Sequence, residues 1–201
     1  MHNLKDRVIL TDCDGVLLNW EYSFTIWMEV HGFERVPGGE YFYDLDRRFN
    51  VGREQVNKLV KIFNESAAIG FLPAFRDSVY YVKKLHQKHG FVFRAITSLS
   101  LDDSAGKLRE SNLCKLFGDD VFESITFLDT NADKYDALLP YKDSGLYWIE
   151  DKYSNFKTGI DLGLEGILVE HGHNMHTDIT GGHVVKSWEE IYNIVKAGLR
   201  K

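Results

Sequence analysis

Two carboxylates one residue apart follow an apolar tetrad near the start of the chain, in Val8-Ile9-Leu10-Thr11-Asp12-Cys13-Asp14-Gly15-Val16. The tetrad reads as a short buried strand. Gly15 permits a sharp turn directly after the acids, because it carries no Cβ. Two acids at the carboxyl end of a buried strand cannot both lose water cheaply as anions. They require a cation, a shared proton or a reaction. In open α/β sheets the carboxyl ends of the strands are also where ligands bind. An ordinary Asp-Gly turn after an edge strand would account for the same letters, so the rest of the chain must decide.

Downstream, the pattern alternates. Apolar runs at Phe91–Thr97, Ser124–Leu128, Leu146–Ile149, Gly166–Val169 and His183–Val185 read as strands. Helical periodicity is predicted over Asp103–Phe117, Phe156–Leu162 and Trp188–Leu199. This alternation predicts an α/β fold: a parallel sheet sandwiched by helices. One interval is too long for a simple crossover. Between the first two strands lie helical patterns at Trp20–Met28, Arg53–Asn64 and Arg76–Lys88, with loop signals at Pro37-Gly38-Gly39 and Gly70–Pro73. The expectation is an α/β core of residues 1–18 and 76–201, with a small helical cap, residues 19–75, inserted after the first strand and lying above Asp12 and Asp14.

Composition narrows the function classes. With 201 residues, 44% hydrophobic and 27% charged, the chain is neither disordered nor membrane-spanning in pattern. The first residues lack the apolar stretch of a signal peptide, and Cys13 and Cys114 make neither a disulfide framework nor a zinc spacing, so a cytoplasmic setting is expected. A net charge of −6 argues against long nucleic acid as a partner and leaves small anionic substrates open. Nothing in the sequence indicates the oligomeric state.

Four points fall at predicted strand ends: Asp12 with Asp14, Thr97 with Ser98, Lys134, and Glu150 with Asp151. Brought into one crevice, they supply what phosphoryl transfer to a carboxylate needs. Asp12 can attack phosphorus. Asp14 can protonate the leaving oxygen and later activate water. Thr97 and Ser98 offer donors to phosphate oxygens, and Lys134 offers a compact cation. Asp12 and Asp151 can share a hard divalent ion, as magnesium prefers.

This set resembles the haloacid dehalogenase superfamily, phosphatase branch. The first motif of that family is matched by Asp12-Cys13-Asp14-Gly15-Val16, the second by Thr97, the third by Lys134 and the fourth by Glu150-Asp151. The match spans most of the chain, in order. Within the superfamily the sequence is most similar to the 5′(3′)-deoxyribonucleotidases, through Thr97-Ser98, Gly70–Pro73, the His171-Gly-His173-Asn174 segment and Lys186-Ser-Trp188. The resemblance implies a Rossmann-like core and a magnesium-dependent nucleotidase that forms an aspartyl-phosphate. The implied metal ligands are Asp12, the Asp14 backbone carbonyl and Asp151, with Glu150 reaching the ion through water and Asn155 standing where some members carry another acid. It also implies that some of Trp20, Phe24, Trp27, Phe42 and Tyr43 hold the base. Lys107 is a further candidate for reaching substrate phosphate, although a solvated helix lysine is the preferred expectation. The alternative substrate is another small phosphate ester or a nucleic-acid 3′-phosphate. A phospho-ligand binding module is the non-enzymatic alternative. His171, His173, His176 and His183 invite a zinc reading, but their spacing matches no standard ligand pattern. Incidental loop histidines are the preferred expectation. Cys13 reads as a small buried hydrophobe.

Overall fold

A computed structural model describes residues 7–175 and 178–199. The first six residues and His176, each considered above, lie outside the described residues. Six strands form one sheet: β1 (Val8–Thr11), β2 (Val92–Ser98), β3 (Phe122–Leu128), β4 (Tyr147–Glu150), β5 (Glu165–Val169) and β6 (His183–Val185). Their order is β3-β2-β1-β4-β5-β6, and every neighbouring pair is parallel. From β1 the sheet first grows outward through β2 and β3. It then restarts on the other side of β1 with β4. Such a reversal leaves a crevice at the carboxyl ends of β1 and β4, the usual ligand position in open α/β sheets.

Side chains alternate along β1, so the strand feeds two cores. Ile9 faces the larger one, with Phe93, Ile149, Val82, Leu113 and Trp188. Helices α4 (Ser78–His89), α5 (Asp103–Phe117) and α8 (Trp188–Gly198) cover that face. Val8 and Leu10 point the other way, to Ile96, Leu138 and Trp148. There α6 (Tyr135–Leu138) and α7 (Tyr153–Asp161) close the layer. Gly159 of α7 lies so close to the Trp148 indole that a Cβ there would collide with it.

Between β1 and α4 the chain makes its excursion through α1 (Trp20–Val30), α2 (Leu45–Phe49) and α3 (Arg53–Asn64). The outgoing and returning strands lie side by side at its base. Asn19 N–H donates to Pro73 O at 2.8 Å, and Phe75 N–H donates to Leu17 O at 2.8 Å. Trp188 Nε1–H anchors the same region by donating to Val16 O at 2.8 Å.

Some boundaries differ from the sequence expectation, for local reasons. Helix α4 begins at Ser78 rather than Arg76, because Arg76 sits at φ 47, outside the right-handed helical region. Helix α7 begins at Tyr153, three residues before the expected start. The Glu150 carboxylate accepts the N–H groups of Asp151 and Lys152 just ahead of its first turn. The short helices α2 and α6 carry too few residues to show a period and were not assigned from sequence.

Candidate functional site

A cavity of about 810 Å³ opens at the carboxyl ends of β1, β2 and β4. Its floor includes Asp12, Asp14, Thr97, Ser98, Lys134 and Asp151, and its walls come from α1, α2 and α3. The four strand-end points of the sequence therefore share one crevice.

Lys134 is the hub. It is 1% exposed, and its Nζ lies 2.8 Å from both Asp12 Oδ1 and Glu150 Oε2. Burial disfavours the ammonium, but the two carboxylates outweigh it and hold Lys134 above its ordinary pKa. Asp12 Oδ1 also accepts the Cys13 N–H at 2.6 Å. Both Glu150 oxygens are engaged: Oε2 by Lys134, Oε1 by the N–H groups of Asp151 and Lys152. Glu150 was expected to reach a metal through water. It lies within 4.8 Å of the Asp12 and Asp151 oxygens, and its bonds also fix Lys134 and shape the start of α7.

Asp151 folds over Gly15, which adopts φ 75 and leaves no room for a Cβ against Asp151 Oδ2. Burial first, then the charge of Asp12, drives the Asp151 carboxyl upward. Asp12 is driven upward by burial and then by Glu150, against the pull of Lys134. Oxygens of Asp12, Glu150 and Asp151 lie within 4.8 Å of one another. Three clustered carboxylates with one lysine are short of positive charge. An all-oxygen donor set of this kind fits a hard divalent cation such as magnesium.

Asp14 has a partner that the sequence reading missed. Arg109 of α5 is fully buried, and its Nη1 and Nη2 donate to Asp14 Oδ1 and Oδ2 at 2.5 and 3.2 Å. A signal was present: Ala105, Arg109 and Leu113 recur at every fourth residue, which places an arginine in the apolar stripe of α5. Lys107, the candidate named from sequence, is exposed and does not line the cavity, because it projects from the opposite side of that stripe. The burial asymmetry of the ion pair gives a prediction. The Asp14 side chain is 23% exposed, so water can solvate it once Arg109 is gone. Arg109 alone would be an unpaired buried charge. Asp14→Ala should therefore cost about 3–5 kcal/mol of stability, and Arg109→Met about 1–3 kcal/mol. Urea unfolding of the two variants checks the order, and equal losses would contradict it.

Thr97 is fully buried at the cavity wall, and its Oγ1 has no hydrogen-bond partner among the described residues. Buried hydroxyls are seldom left unpaired unless a ligand or water completes them. Ser98 Oγ is already committed to Ala132 O at 2.8 Å, so its side chain ties β2 to the loop that carries Lys134. Asn155 of α7 is buried and also reaches the cavity.

The five aromatic candidates divide. Trp20 and Tyr43 line the cavity, whereas Phe24, Trp27 and Phe42 do not. Phe24 is buried in the core of the excursion, stacked on Trp20 at 4.6 Å and edge-on to Phe63 at 5.3 Å. Trp27 packs against His31 and Phe63. Phe42 lies under the Arg47 guanidinium. Cys13 is buried, and burial pushes its thiol up to about 12, which suits a packing residue rather than a nucleophile. Of the histidines, His171 and His173 line the cavity, whereas His183 is an exposed residue of β6.

No family model matches the chain. A curated protein of Enterobacteria phage T4, described as an uncharacterized 32.4 kDa protein in the Gp30-rIII intergenic region, is 30% identical over 114 residues. The match covers 54% of this chain and 40% of the phage protein, so less than half of that relative is represented. Solved structures are similar over nearly the whole chain. A haloacid dehalogenase-like hydrolase from Streptococcus pneumoniae superposes with a TM-score of 0.63 at 15% identity, covering 94% of this chain and 98% of that one. D,D-heptose 1,7-bisphosphate phosphatase from B. bronchiseptica, solved with magnesium and phosphate, gives 0.60 at 11% identity, covering 96% and 99%. L-2-haloacid dehalogenase from Xanthobacter autotrophicus, with chloropropionic acid covalently bound, gives 0.61 at 8% identity, covering 94% and 98%. The chain has the haloacid dehalogenase-like fold. A phosphatase and a dehalogenase both appear among these neighbours, so the reaction must be argued from the site.

Proposed function

We propose that this chain is a magnesium-dependent phosphomonoester hydrolase that works through an aspartyl-phosphate on Asp12. The observation that carries the reading is the clasp of Asp12 and Glu150 around Lys134, set beside Asp151 and the unpaired Thr97 hydroxyl in one cavity. A carboxylate attacking an anionic phosphate must overcome repulsion, and this site concentrates charge compensation there. Asp12 and Asp151 would hold the magnesium, with the Asp14 backbone carbonyl as a third ligand, and the ion would neutralise phosphate charge.

The residues of the chain carry the steps. A carboxylate oxygen of Asp12 forms a bond to phosphorus as the ester oxygen leaves. Asp14, protonated, gives its proton to that leaving oxygen. The Asp14 carboxylate then takes a proton from water, whose oxygen bonds to phosphorus while the Asp12–phosphorus linkage breaks. Inorganic phosphate departs, Asp12 returns to a carboxylate and Asp14 is again protonated. Lys134 and Thr97 bind phosphate oxygens throughout, and Ser98 offers its backbone N–H. Asp14 carries that proton only away from Arg109; between turnovers it exchanges the proton with solvent and rests as a carboxylate in its bidentate pair with Arg109.

Residues 19–75 act in this reading as a cap over a core formed by residues 1–18 and 76–201. The substrate class we propose is a nucleoside monophosphate. Two cap aromatics, Trp20 and Tyr43, face the cavity, and its volume is in the range of small-molecule sites. A panel of phosphate monoesters, assayed with magnesium and with EDTA, tests the reading. Hydrolysis of nucleoside 5′- or 3′-monophosphates that EDTA abolishes is expected. Preference for a sugar phosphate or a 3′-phosphorylated oligonucleotide would reassign the substrate. Stable labelling by phosphate without turnover would make the protein a binding module.

A further inference from the structure

The phosphoryl-transfer reading leaves three side chains of the same cavity unused. His171 and His173 follow β5, and Glu21 lies in the first turn of α1. One ligand atom from each of the three lies within 4.8 Å of the others. The His171 and His173 rings stack at 5.3 Å and 16°.

Two hydrogen-bond observations turn this proximity into a site. The Gly15 carbonyl can only accept, so His171 Nε2, at 2.8 Å, must carry the proton and donate to it. That bond leaves the other ring nitrogen as the lone-pair atom. A backbone carbonyl holding one imidazole nitrogen while the other is free is the arrangement that orients a histidine as a metal ligand. The His173 side chain is 7% exposed, yet its Nε2 is buried with no hydrogen-bond partner among the described residues. The nearest acid, Asp151 Oδ2, is 3.9 Å away, too far for a hydrogen bond. A buried ring nitrogen is in most cases completed by a protein group, a water or an ion. Arg48 holds Glu21 Oε1 at 2.7 Å, which fixes the carboxylate and leaves its second oxygen.

We infer that Glu21, His171 and His173 form a second metal site, separate from the carboxylate cluster and selective for a transition ion such as Zn²⁺. Two imidazoles and one carboxylate are the donors such ions prefer, and magnesium does not compete well for imidazole. Three protein ligands leave a fourth position facing the cavity, open to water or to an oxygen of a bound molecule. The site bridges the excursion and the sheet, because Glu21 belongs to α1 and the histidines follow β5. Filling it would tie the two together. The inference holds whatever the substrate of the neighbouring acids.

Titration of the full chain with Zn²⁺ in excess magnesium, and with Co²⁺ as a spectroscopic probe, tests it. One transition ion per chain is expected, with the visible Co²⁺ bands of a low-coordinate nitrogen-containing site. Glu21→Gln and His173→Ala should each weaken Zn²⁺ binding by at least about tenfold, the lower limit for losing even an outer-shell partner. Asp12→Asn should leave Zn²⁺ binding intact. Thermal unfolding followed by circular dichroism verifies that each variant folds. Should His173→Ala not fold, the isosteric change at half-buried Glu21 still decides. Binding unchanged in Glu21→Gln, or binding lost in Asp12→Asn and kept in the other two variants, would overturn the inference by placing the ion on the carboxylates. Absence of Zn²⁺ binding in magnesium would overturn it as well.

Discussion

Asp12→Asn will lower kcat by at least about 10⁴-fold, the scale on which loss of a covalent nucleophile is felt, without weakening the metal-free protein. The two halves of this expectation have one cause. Asp12 is a buried carboxylate whose pKa is raised by burial and by Glu150, so ionising it in the metal-free fold is unfavourable. A carboxyl whose folded pKa exceeds its unfolded value lowers stability as pH rises from the unfolded value to the folded one. The metal-free wild type should therefore lose stability between about pH 4 and about pH 8, and added magnesium should restore it. Asparagine keeps the shape and the acceptor for Cys13 N–H and Lys134 but removes the charge. The variant should melt at or above the metal-free wild type near pH 8, with a smaller gain from magnesium. Turnover assays and melting curves with and without magnesium check both halves. Near-normal turnover would remove Asp12 as nucleophile. A large drop in metal-free stability would mean that its charge supports the fold.

That pairing of activity and stability could not be foreseen from letters, although the residues that share the cavity floor could. Strands written as short apolar runs are legible because a strand buried on both faces spends few polar positions: Val8–Thr11 was read to the residue, and Leu146–Ile149 was read one residue early against Tyr147–Glu150. The Arg53–Asn64 and Asp103–Phe117 helices also matched their pattern to the residue. The strand-end acids and Thr97 were legible because a polar group at the end of an apolar run is conspicuous. What remained hidden was pairing across the sheet. Lys134 and Glu150 lie 16 residues apart and Asp14 and Arg109 lie 95 apart, and no local spacing connects such partners. The nearness of Glu21 to His171 and His173 was hidden for the same reason. The zinc spacing was weighed on histidines near one another in sequence, while the carboxylate that lies within 4.8 Å of two of them is 150 residues upstream of His171, at Glu21. The aromatic candidates show the converse limit. Trp20, Phe24 and Trp27 recur at helical spacing, and that spacing alone cannot separate a residue facing the core from one facing the cavity.

Removing the lysine tests the clasp most severely. Lys134→Met will leave Asp12 and Glu150 buried with no cation between them, and breaking a buried ion pair from one side costs about 3–5 kcal/mol. Turnover should fall at the same time by about 10²–10³-fold, as when one preorganised charge partner is lost from a reacting site. A destabilised enzyme is also a slow one, so the single variant cannot separate the two effects. The second substitution separates them. Glu150→Gln in the Lys134→Met background removes one of the stranded charges while its oxygen can still accept from Asp151 and Lys152. The clustered acids and lysine then carry the same formal charge as in the wild type. Contacting residues of this kind couple by about 0.5–3 kcal/mol, so the double variant should regain much of the lost stability in urea unfolding. It should regain none of the turnover, because the group that meets both Asp12 and the phosphate is still missing. Recovery of activity along with stability would show that Lys134 only neutralises Glu150 and has no part in holding the phosphate beside Asp12.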